Sequence, residues 1–418
     1  MNKSDVIVIG GGIIGLSCAY YLTKEGKAVT IIDKGPAFDA SSHANCGLVS
    51  PSHALPLNSP QLLLKATKWL FQSDSPFYIR PQINPQFVTW MVGFALNVAK
   101  QKVMHSMHGR NQLLMASRKL YDHWFEEEQL ECNWSKAGII FVFKHKKTFE
   151  NYQLKDEQIG LLDPALKALP LTGDALFKKE PALNETVHGG WWYEIDASLK
   201  PDELVRSLKV RLGEMGVNFS NETSVIDFDL KGGEIDAVKT NRGDFRGDYV
   251  VLATGAWSPL LTKRLKIKLP IIPGKGYSLT MNKPGISPSM PCIMEEKKVV
   301  ATPWNESYRL GGTMEFAGYN ATMNRVRFRA LKKAAEIYLK NPYTDHVTEE
   351  WFGWRPMTNN GLPVIDFSDQ YKNLVFACGH SMLGLSMAPS TGKLVSEMII
   401  DKETHINPSF YKLRGNLN

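Results

Sequence analysis

Residues 5–34 read DVIVIGGGIIGLSCAYYLTKEGKAVTIIDK. An apolar run, Val6–Ile9, enters a glycine turn in which Gly10, Gly12 and Gly15 have the spacing G-x-G-x-x-G. A helical pattern continues through Leu22, and a second apolar run, Ala28–Ile32, ends on Asp33. Strand, turn, helix, strand and acid thus follow in the register of a βαβ dinucleotide-binding unit. Gly10 permits the tight turn, Gly12 lets the backbone approach a pyrophosphate, and Gly15 lets helix and strand pack closely. Ile13 and Ile14 open the helix, whose N–H groups and positive dipole end face the phosphates. Asp33 falls on the order of 20 residues past the glycines, where a carboxylate accepts the ribose hydroxyls. An acid there favours an unphosphorylated ribose, so FAD or NAD rather than NADP. A fingerprint this early in a chain of 418 residues is the usual layout of FAD enzymes.

A chain of this length can bury a large core and suggests two or three domains. Its 43% hydrophobic and 22% charged residues are those of a soluble globular protein. No apolar run reaches the ~18–20 residues of a spanning helix, and no signal peptide precedes the first strand. The cysteines, Cys18, Cys46, Cys132, Cys292 and Cys378, are widely spaced and form no C-x-x-C pair. That argues against a disulfide framework or a metal site and for a reducing compartment, the cytoplasm. The formal net charge of +7 suits an anionic substrate or an anionic membrane surface. With no basic run and no nucleic-acid motif, no nucleic-acid partner is expected.

After Asp33 comes a loop rich in small residues that contains SSHANCGLVSP (41–51). Helical patterns follow, including LLLKATKWLF (62–71) and FVTWMVGFALNVAK (87–100), and alternation returns in AGIIFVFKHKK (137–147). The segment WWYEIDASLKPDELVRSLKVRLGEMGVNF, from Trp191, places Pro201 and Asp202 at the start of an amphipathic helix with Leu204, Leu208 and Leu212 on one face. Two strand patterns, SVIDFDL and IDAVKTN, are joined by the hairpin signal Lys231-Gly232-Gly233-Glu234. DYVVLATGAWSP (248–259) follows as a buried strand running into a glycine turn, and residues 270–317 read as more strands. The C-terminal region holds WFGWRPMTNNGLPVID (351–366), the strand NLVFACG (373–379) and a closing helix through Ile400. The reading is an α/β fold with a Rossmann-type dinucleotide domain in three pieces, 1–55, 190–265 and 350–418. A substrate domain of α+β type, a β-sheet plus helices, is inserted as 56–189 and 266–349.

Six motifs occur in order: GGGIIG with Asp33, DASLKPDELVRSL, VVLATGAWSP, PGKGY, WFGWRPMTNNGLPVID and GHSMLGLSMAPSTGKLVSEMI. Together they resemble the D-amino-acid oxidase superfamily of flavoproteins. Within it, ANCGLVSPSHALPL, LKATKWLFQSDSPFYIRP, KGYSLT and RLGGTMEF look most like bacterial D-amino-acid dehydrogenases. Two departures fall where flavin and substrate should meet. Ser381 stands at the third position of the usual GHG-x-x-G, and ANCG replaces the more frequent ANAG.

The resemblance implies noncovalent FAD and oxidation of a C–N bond by hydride transfer to flavin N5. Such chemistry needs little acid–base machinery once the amine is neutral, so placement and stabilisation of the reduced flavin's charge are the protein's tasks. It implies, further, that Lys34 flanks the ribose acid, that Ala253, Thr254 and Gly255 with Trp257 form a second contact near the phosphates, and that Val225 meets adenine through its backbone. Ser41, Ser42, Ala44, Asn45, Gly47 and Leu48 would run along the ribityl chain and ring, where small residues allow close approach. Gly379, His380, Met382, Gly384, Leu385 and Ser386 lead into a helix whose N-terminus would face the flavin N1–C2=O edge, where negative charge develops on reduction. Arg355 matches the arginine that pairs with the substrate carboxylate, which a planar guanidinium can hold through two hydrogen bonds. Tyr277 is a candidate for pocket lining and His53 for the pocket mouth.

The expected activity is therefore that of an FAD-dependent D-amino-acid dehydrogenase. Its substrate would be a small zwitterion, with a cyclic D-imino acid such as D-proline or D-hydroxyproline included. Its electrons would pass to a quinone or another acceptor. Trp69, Phe71, Phe77, Tyr78 and Trp90 lie beside Lys65, Lys68 and Arg80. Such a basic amphipathic stretch can lie in a bilayer interface, here the inner face of the cytoplasmic membrane. The rival readings are a glycine- or sarcosine-type amine oxidase using oxygen, and a nonenzymatic flavin-binding protein.

Overall fold

The computed structural model describes residues 4–35, 40–58, 77–80 and 84–414. The first strand, Ser4–Ile9, pairs in parallel with Val29–Ile32 on one side and Gly247–Leu252 on the other. A strand enclosed in this way is covered on both faces, which is why Val6–Ile9 is uniformly apolar. The sheet runs in the order Val364–Phe367, Leu374–Cys378, Gly247–Leu252, Ser4–Ile9, Val29–Ile32, Asn218–Ser220. All neighbours are parallel except Val364–Phe367. The chain leaves the central strand in one direction and later returns on its other side. Gly10, Asp33 and Ala253 therefore gather at the carboxyl ends of adjacent strands, the crevice where such sheets bind ligands.

The helices that matter are α1 (Ile13–Lys24), α2 (Pro85–Leu96), α3 (Lys100–Glu127), α4 (Lys146–Gly160), α5 (Pro201–Glu214), α6 (Arg325–Tyr338) and α7 (Gly384–Ile399). One face of the sheet is covered by α1, α5 and α7, which bury Leu16, Leu204, Leu208, Leu212 and Leu394 in a single core. Leu113, Leu114, Tyr121 and Trp124 of α3 join the same core. A three-stranded meander, Val225–Lys231, Glu234–Thr240 and Gly243–Phe245, caps the other face with Phe228, Ile235 and Val238.

The second sheet has the order Val347–Thr358, Ile271–Asn282, Ser307–Phe316, Val299–Pro303, Cys292–Met294, Ile139–Phe143, Gly189–Tyr193, Leu169–Thr172, and Phe77–Ile79 pairs with Ser307–Phe316. α6 packs on it through Phe328, Leu331 and Ala335. Two strands fall differently from the sequence reading, which put 190 onward and 350 onward with the dinucleotide sheet. Gly189–Tyr193 pairs with Ile139–Phe143, and Val347–Thr358 with Ile271–Met281, so both belong to the inserted sheet. Conversely α3, from an inserted segment, packs on the dinucleotide layer. A strand's layer is set by its ladder partner, which its own pattern does not reveal. The expected alternation in Ile139–Phe143 is also absent: all five residues are buried, because Ile140 and Val142 face one core and Ile139, Phe141 and Phe143 another. The pattern read across 87–100 breaks after Leu96, where the Asn97 side-chain amide donates to the Gly93 carbonyl at 2.8 Å. LLLKATKWLF lies outside the described residues.

All five cysteines are free of disulfides. Among the described residues no helix is long and apolar enough to cross a membrane, and no group of His, Cys, Asp and Glu could hold a metal ion.

α1 and α7 cross at Gly392, where a Cβ would overlap the Ser17 carbonyl. Gly392→Ala should therefore destabilise the fold by about 1–3 kcal/mol, the usual cost of overpacking. It would be read as a lower urea midpoint at unchanged slope. Gly213→Ala is the control. Gly213 lies on the exposed side of α5 with nothing near a Cβ, so alanine there should hold or raise the midpoint.

Candidate functional site

A cavity of about 1510 Å³ runs from the carboxyl ends of the first sheet to the inner face of the second. Every candidate residue of the sequence reading lines it except Gly15, Gly47 and Gly379. Those three shape the wall from behind. A Cβ on Gly15 would overlap the Gly10 carbonyl, one on Gly47 would overlap the Leu199 carbonyl, and one on Gly379 would lie 2.8 Å from Thr358 Cγ2. Gly10 takes φ +113°, and a Cβ there would lie 2.6 Å from the Ala253 carbonyl oxygen. Gly12 differs: its nearest neighbour would be Ser42 Oγ at 3.3 Å. The fold itself has room for a side chain at Gly12, so the position stays open toward the cavity.

Two helices begin at this wall, α1 after Gly12 and α7 after Leu383, and neither N-cap residue offers a side-chain cap. Ile13 N–H donates to Ser42 Oγ at 3.0 Å. Asp33 accepts from Gly11 N at 2.5 Å and Gly35 N at 3.0 Å, which holds its carboxylate beside the glycine turn. At the same end Lys34 Nζ lies 3.9 Å from the centre of a Trp257 ring. Two helix ends without a cap from their own N-cap residues, an acid and a bare glycine approach fit an elongated dinucleotide carrying a pyrophosphate.

The segment Ser41–Leu48 joins the two sheets. Ser41 Oγ donates to Trp354 O at 2.5 Å, Ser278 Oγ to Ala44 O at 2.8 Å, Thr302 Oγ1 to Cys46 O at 2.8 Å and Ser386 Oγ to Leu48 O at 2.8 Å. Asn45 spends its side chain inside the loop, on Gly47 N and Ser41 O. Small residues here serve a pinned wall.

Arg355 lies half-buried under that wall. Its Nη1 donates to Thr313 O at 3.0 Å, and its guanidinium lies over Gly276, where any Cβ would overlap it. Among the described residues no carboxylate pairs with it. Burial pushes its pKa below the ordinary arginine value, with the Cys46 thiol the one charge-bearing group opposing this. A partly desolvated cation without a counter-anion is costly, so this position can accept an anion. Thr313 is β-branched yet holds φ +55°, a strained conformation of the kind that clusters at functional sites. Ser381, the departure from GHG-x-x-G, likewise holds φ +52°.

Tyr277 does not offer its hydroxyl to the cavity. The hydroxyl donates to Glu315 Oε2 at 2.8 Å and the ring meets Phe328 edge-on, inside the inserted core. Burial, then Glu315, pushes its pKa upward. In KGY the glycine makes room for Arg355, and the tyrosine anchors the strand. His380 is buried with Nε2 2.9 Å from Thr391 Oγ1, and burial pushes its pKa down to about 3, so it is a neutral hydrogen-bonding group. His53 sits against Phe141 with ring centres 5.3 Å apart, and burial, then Arg110, pushes its pKa down to about 4. The sequence reading missed Cys46, Ser52, Thr313 and Met314 as lining residues. Only Cys46 carried a signal, as the odd residue of ANCG.

A family model described as DAO, "FAD dependent oxidoreductase", matches residues 5–398. The D-amino acid dehydrogenase of Vibrio atlanticus (strain LGP32) is 30% identical over 403 residues, covering 94% of this chain and 95% of the relative. The D-amino acid dehydrogenase of Allorhizobium ampelinum is 31% identical and 96% of each chain is covered. Among solved structures, glycine oxidase from Geobacillus kaustophilus aligns over 99% of both chains with a TM-score of 0.78 at 20% identity. L-proline dehydrogenase from P. horikoshii aligns over 100% of both with a TM-score of 0.74 at 21% identity. At that identity these two speak for the fold. The family match runs through both sheets and every wall of the cavity, so the chain belongs to the DAO family: it is an oxidoreductase, and FAD is the noncovalent cofactor that its glycine turn and helix ends fit.

Proposed function

We propose that the chain oxidises a D-amino acid at its α-carbon, as the names of its relatives suggest, with cyclic D-imino acids within the same class. The observation that carries the reading is Arg355, a half-buried guanidinium held by one carbonyl and matched by no carboxylate among the described residues. The substrate carboxylate would supply the missing anion, and a two-point pairing fixes the α-carbon as well as the charge. FAD, when bound, accepts the hydride that leaves the α-carbon. Gly276 keeps the guanidinium flat on its strand, and Thr313 O holds it from the side. The apolar walls exclude water and strengthen each of these interactions.

The electron acceptor in this reading is a membrane quinone. Val88, Val92 and Leu96 of α2 are 56%, 55% and 61% exposed and fall on one helical face. Trp90, one of the aromatics read as interfacial, is instead buried and donates its indole N–H to Met357 O at 2.9 Å. Trp69, Phe71, Lys65 and Lys68 lie outside the described residues. The aliphatic stripe of α2 is thus what supports lipid contact at the cytoplasmic face.

Arg355→Ala should lower kcat/KM for the amino acid by about two to four orders of magnitude, since charge-assisted hydrogen bonds are worth roughly 1.5–3 kcal/mol each. Arg355→Lys should recover part of the loss. The parent amino acid should be strongly preferred over its decarboxylated amine in wild type and not in Arg355→Ala. Retention of that preference, or loss of flavin, would make Arg355 structural. Gly12→Val should fold but purify without flavin, whereas denatured wild type should release all its flavin as free FAD. The protein should sediment with anionic vesicles at low salt and be released as salt rises, and Val92→Glu should weaken this. Equal recovery with and without vesicles would assign a soluble acceptor.

A further inference from the structure

Asp196 is a fully buried carboxylate that the site described above does not use. Both its oxygens rest on one residue. Ser52 donates its amide to Oδ1 at 3.0 Å and its hydroxyl to Oδ2 at 2.5 Å. Among the described residues Asp196 has no ion-pair partner; Arg118, the cation that acts on it, gives its hydrogen bonds to Ile195 O and Asp122. On the other side of Ser52, Oγ lies 3.5 Å from Nδ1 of His53. Ser52 and His53 both line the cavity. Nε2 of His53 has no hydrogen-bond partner among the described residues. A neutral imidazole can take a proton on one nitrogen as it gives one up from the other.

We propose that His53, Ser52 and Asp196 form a proton relay that removes the proton of the bound substrate's ammonium group. The proposal rests on the amino-acid reading. An amino acid arrives as the ammonium form, and its nitrogen lone pair must be free before the α-carbon can lose hydride. The ammonium N–H bond breaks as an Nε2–H bond forms on His53. The Nδ1–H proton passes to Ser52 Oγ, and the Oγ–H proton passes to Asp196 Oδ2. The ammonium becomes an amine and the carboxylate becomes an acid, with no change in oxidation state. Two opposite charges leave a low-dielectric site together, which offsets the greater basicity of an amine in water.

The surrounding charges fit this direction. His53 faces Arg110 of α3, Lys155 of α4, and Glu295 and Lys298 from the turn after Cys292–Met294. Both lysines pair with Glu295. Arg110 and burial keep His53 from retaining the proton. Asp196 faces Arg118 of α3, Tyr152 of α4 and Tyr193. Burial pushes its pKa up to about 7 against Ser52 and Arg118, so it can hold a proton at neutral pH.

The test uses holoenzyme and 2-aminoisobutyrate, an amino acid with no α-hydrogen to lose. Titration calorimetry in buffers of different ionisation enthalpy counts the protons released on binding. The complex holds one proton shared between amine and Asp196. At about pH 6, where the free carboxyl is mostly protonated, binding should release close to one proton, and at about pH 8 close to none. Asp196→Asn and Ser52→Ala should each remove this pH dependence, and Ser52→Thr, which keeps the hydroxyl, should restore it. With the true substrate, the second-order rate of flavin reduction at low substrate, which reports the free enzyme, should fall about tenfold per pH unit below about pH 7 in wild type and lose that limb in Asp196→Asn. If Asp196→Asn does not fold, the Ser52 pair decides. Equal proton release at both pH values in wild type overturns the relay, as does unchanged release in the variants. Failure of wild type to bind 2-aminoisobutyrate overturns the amino-acid reading itself.

Discussion

The cavity depends on how closely α1 sits on the turn before it. Gly15 rests on the Gly10 carbonyl at a separation that no side chain tolerates. That contact aims the helix end along the axis of the crevice, where the adjacent strands end in Asp33 and Ala253. Gly392 imposes the same demand on α7, whose own N-terminus is brought to the opposite stretch of wall by its crossing with α1. Two helix dipoles thus converge on one cavity because two glycines let backbones touch.

The inserted sheet supplies the opposite kind of constraint, a charge rather than a fit. Arg355 is half-buried with no carboxylate beside it among the described residues, and the carbonyl of the strained Thr313 holds the guanidinium in place. In the proposed function, the cost of that partly desolvated charge would be offset when a carboxylate enters, so a preference for anions would follow from the fold. The basic excess of the whole chain adds only a diffuse attraction at longer range.

Features whose determinants lie close together were legible in the sequence. The βαβ unit needs about thirty residues, and all of them announce it. Leu204, Leu208 and Leu212 are buried on one face of α5, and Lys231-Gly232-Gly233-Glu234 turns between the two meander strands. What stayed hidden is what long separations decide. Tyr277 and Gly276 are neighbours, yet the glycine serves Arg355 and the tyrosine serves Glu315, because successive residues of a strand face opposite sides. Ser52 and Asp196 meet across 144 positions, and nothing local to either marks the other. Layer membership of Gly189–Tyr193 and Val347–Thr358 was hidden for the same reason.

The hydrogen bonds that pin Ser41–Leu48 have a consequence for biosynthesis. The loop is made early, but its partners Ser278, Thr302, Trp354 and Ser386 lie 234 to 338 positions later in the chain. A nascent chain can form the βαβ unit as it emerges, yet the Ser41–Leu48 stretch of the wall lacks its last partner until α7 is complete. Completion of that wall is therefore coupled to the docking of segments far apart in the chain. The yellow colour of a preparation would then report the closed wall as well as the glycine turn.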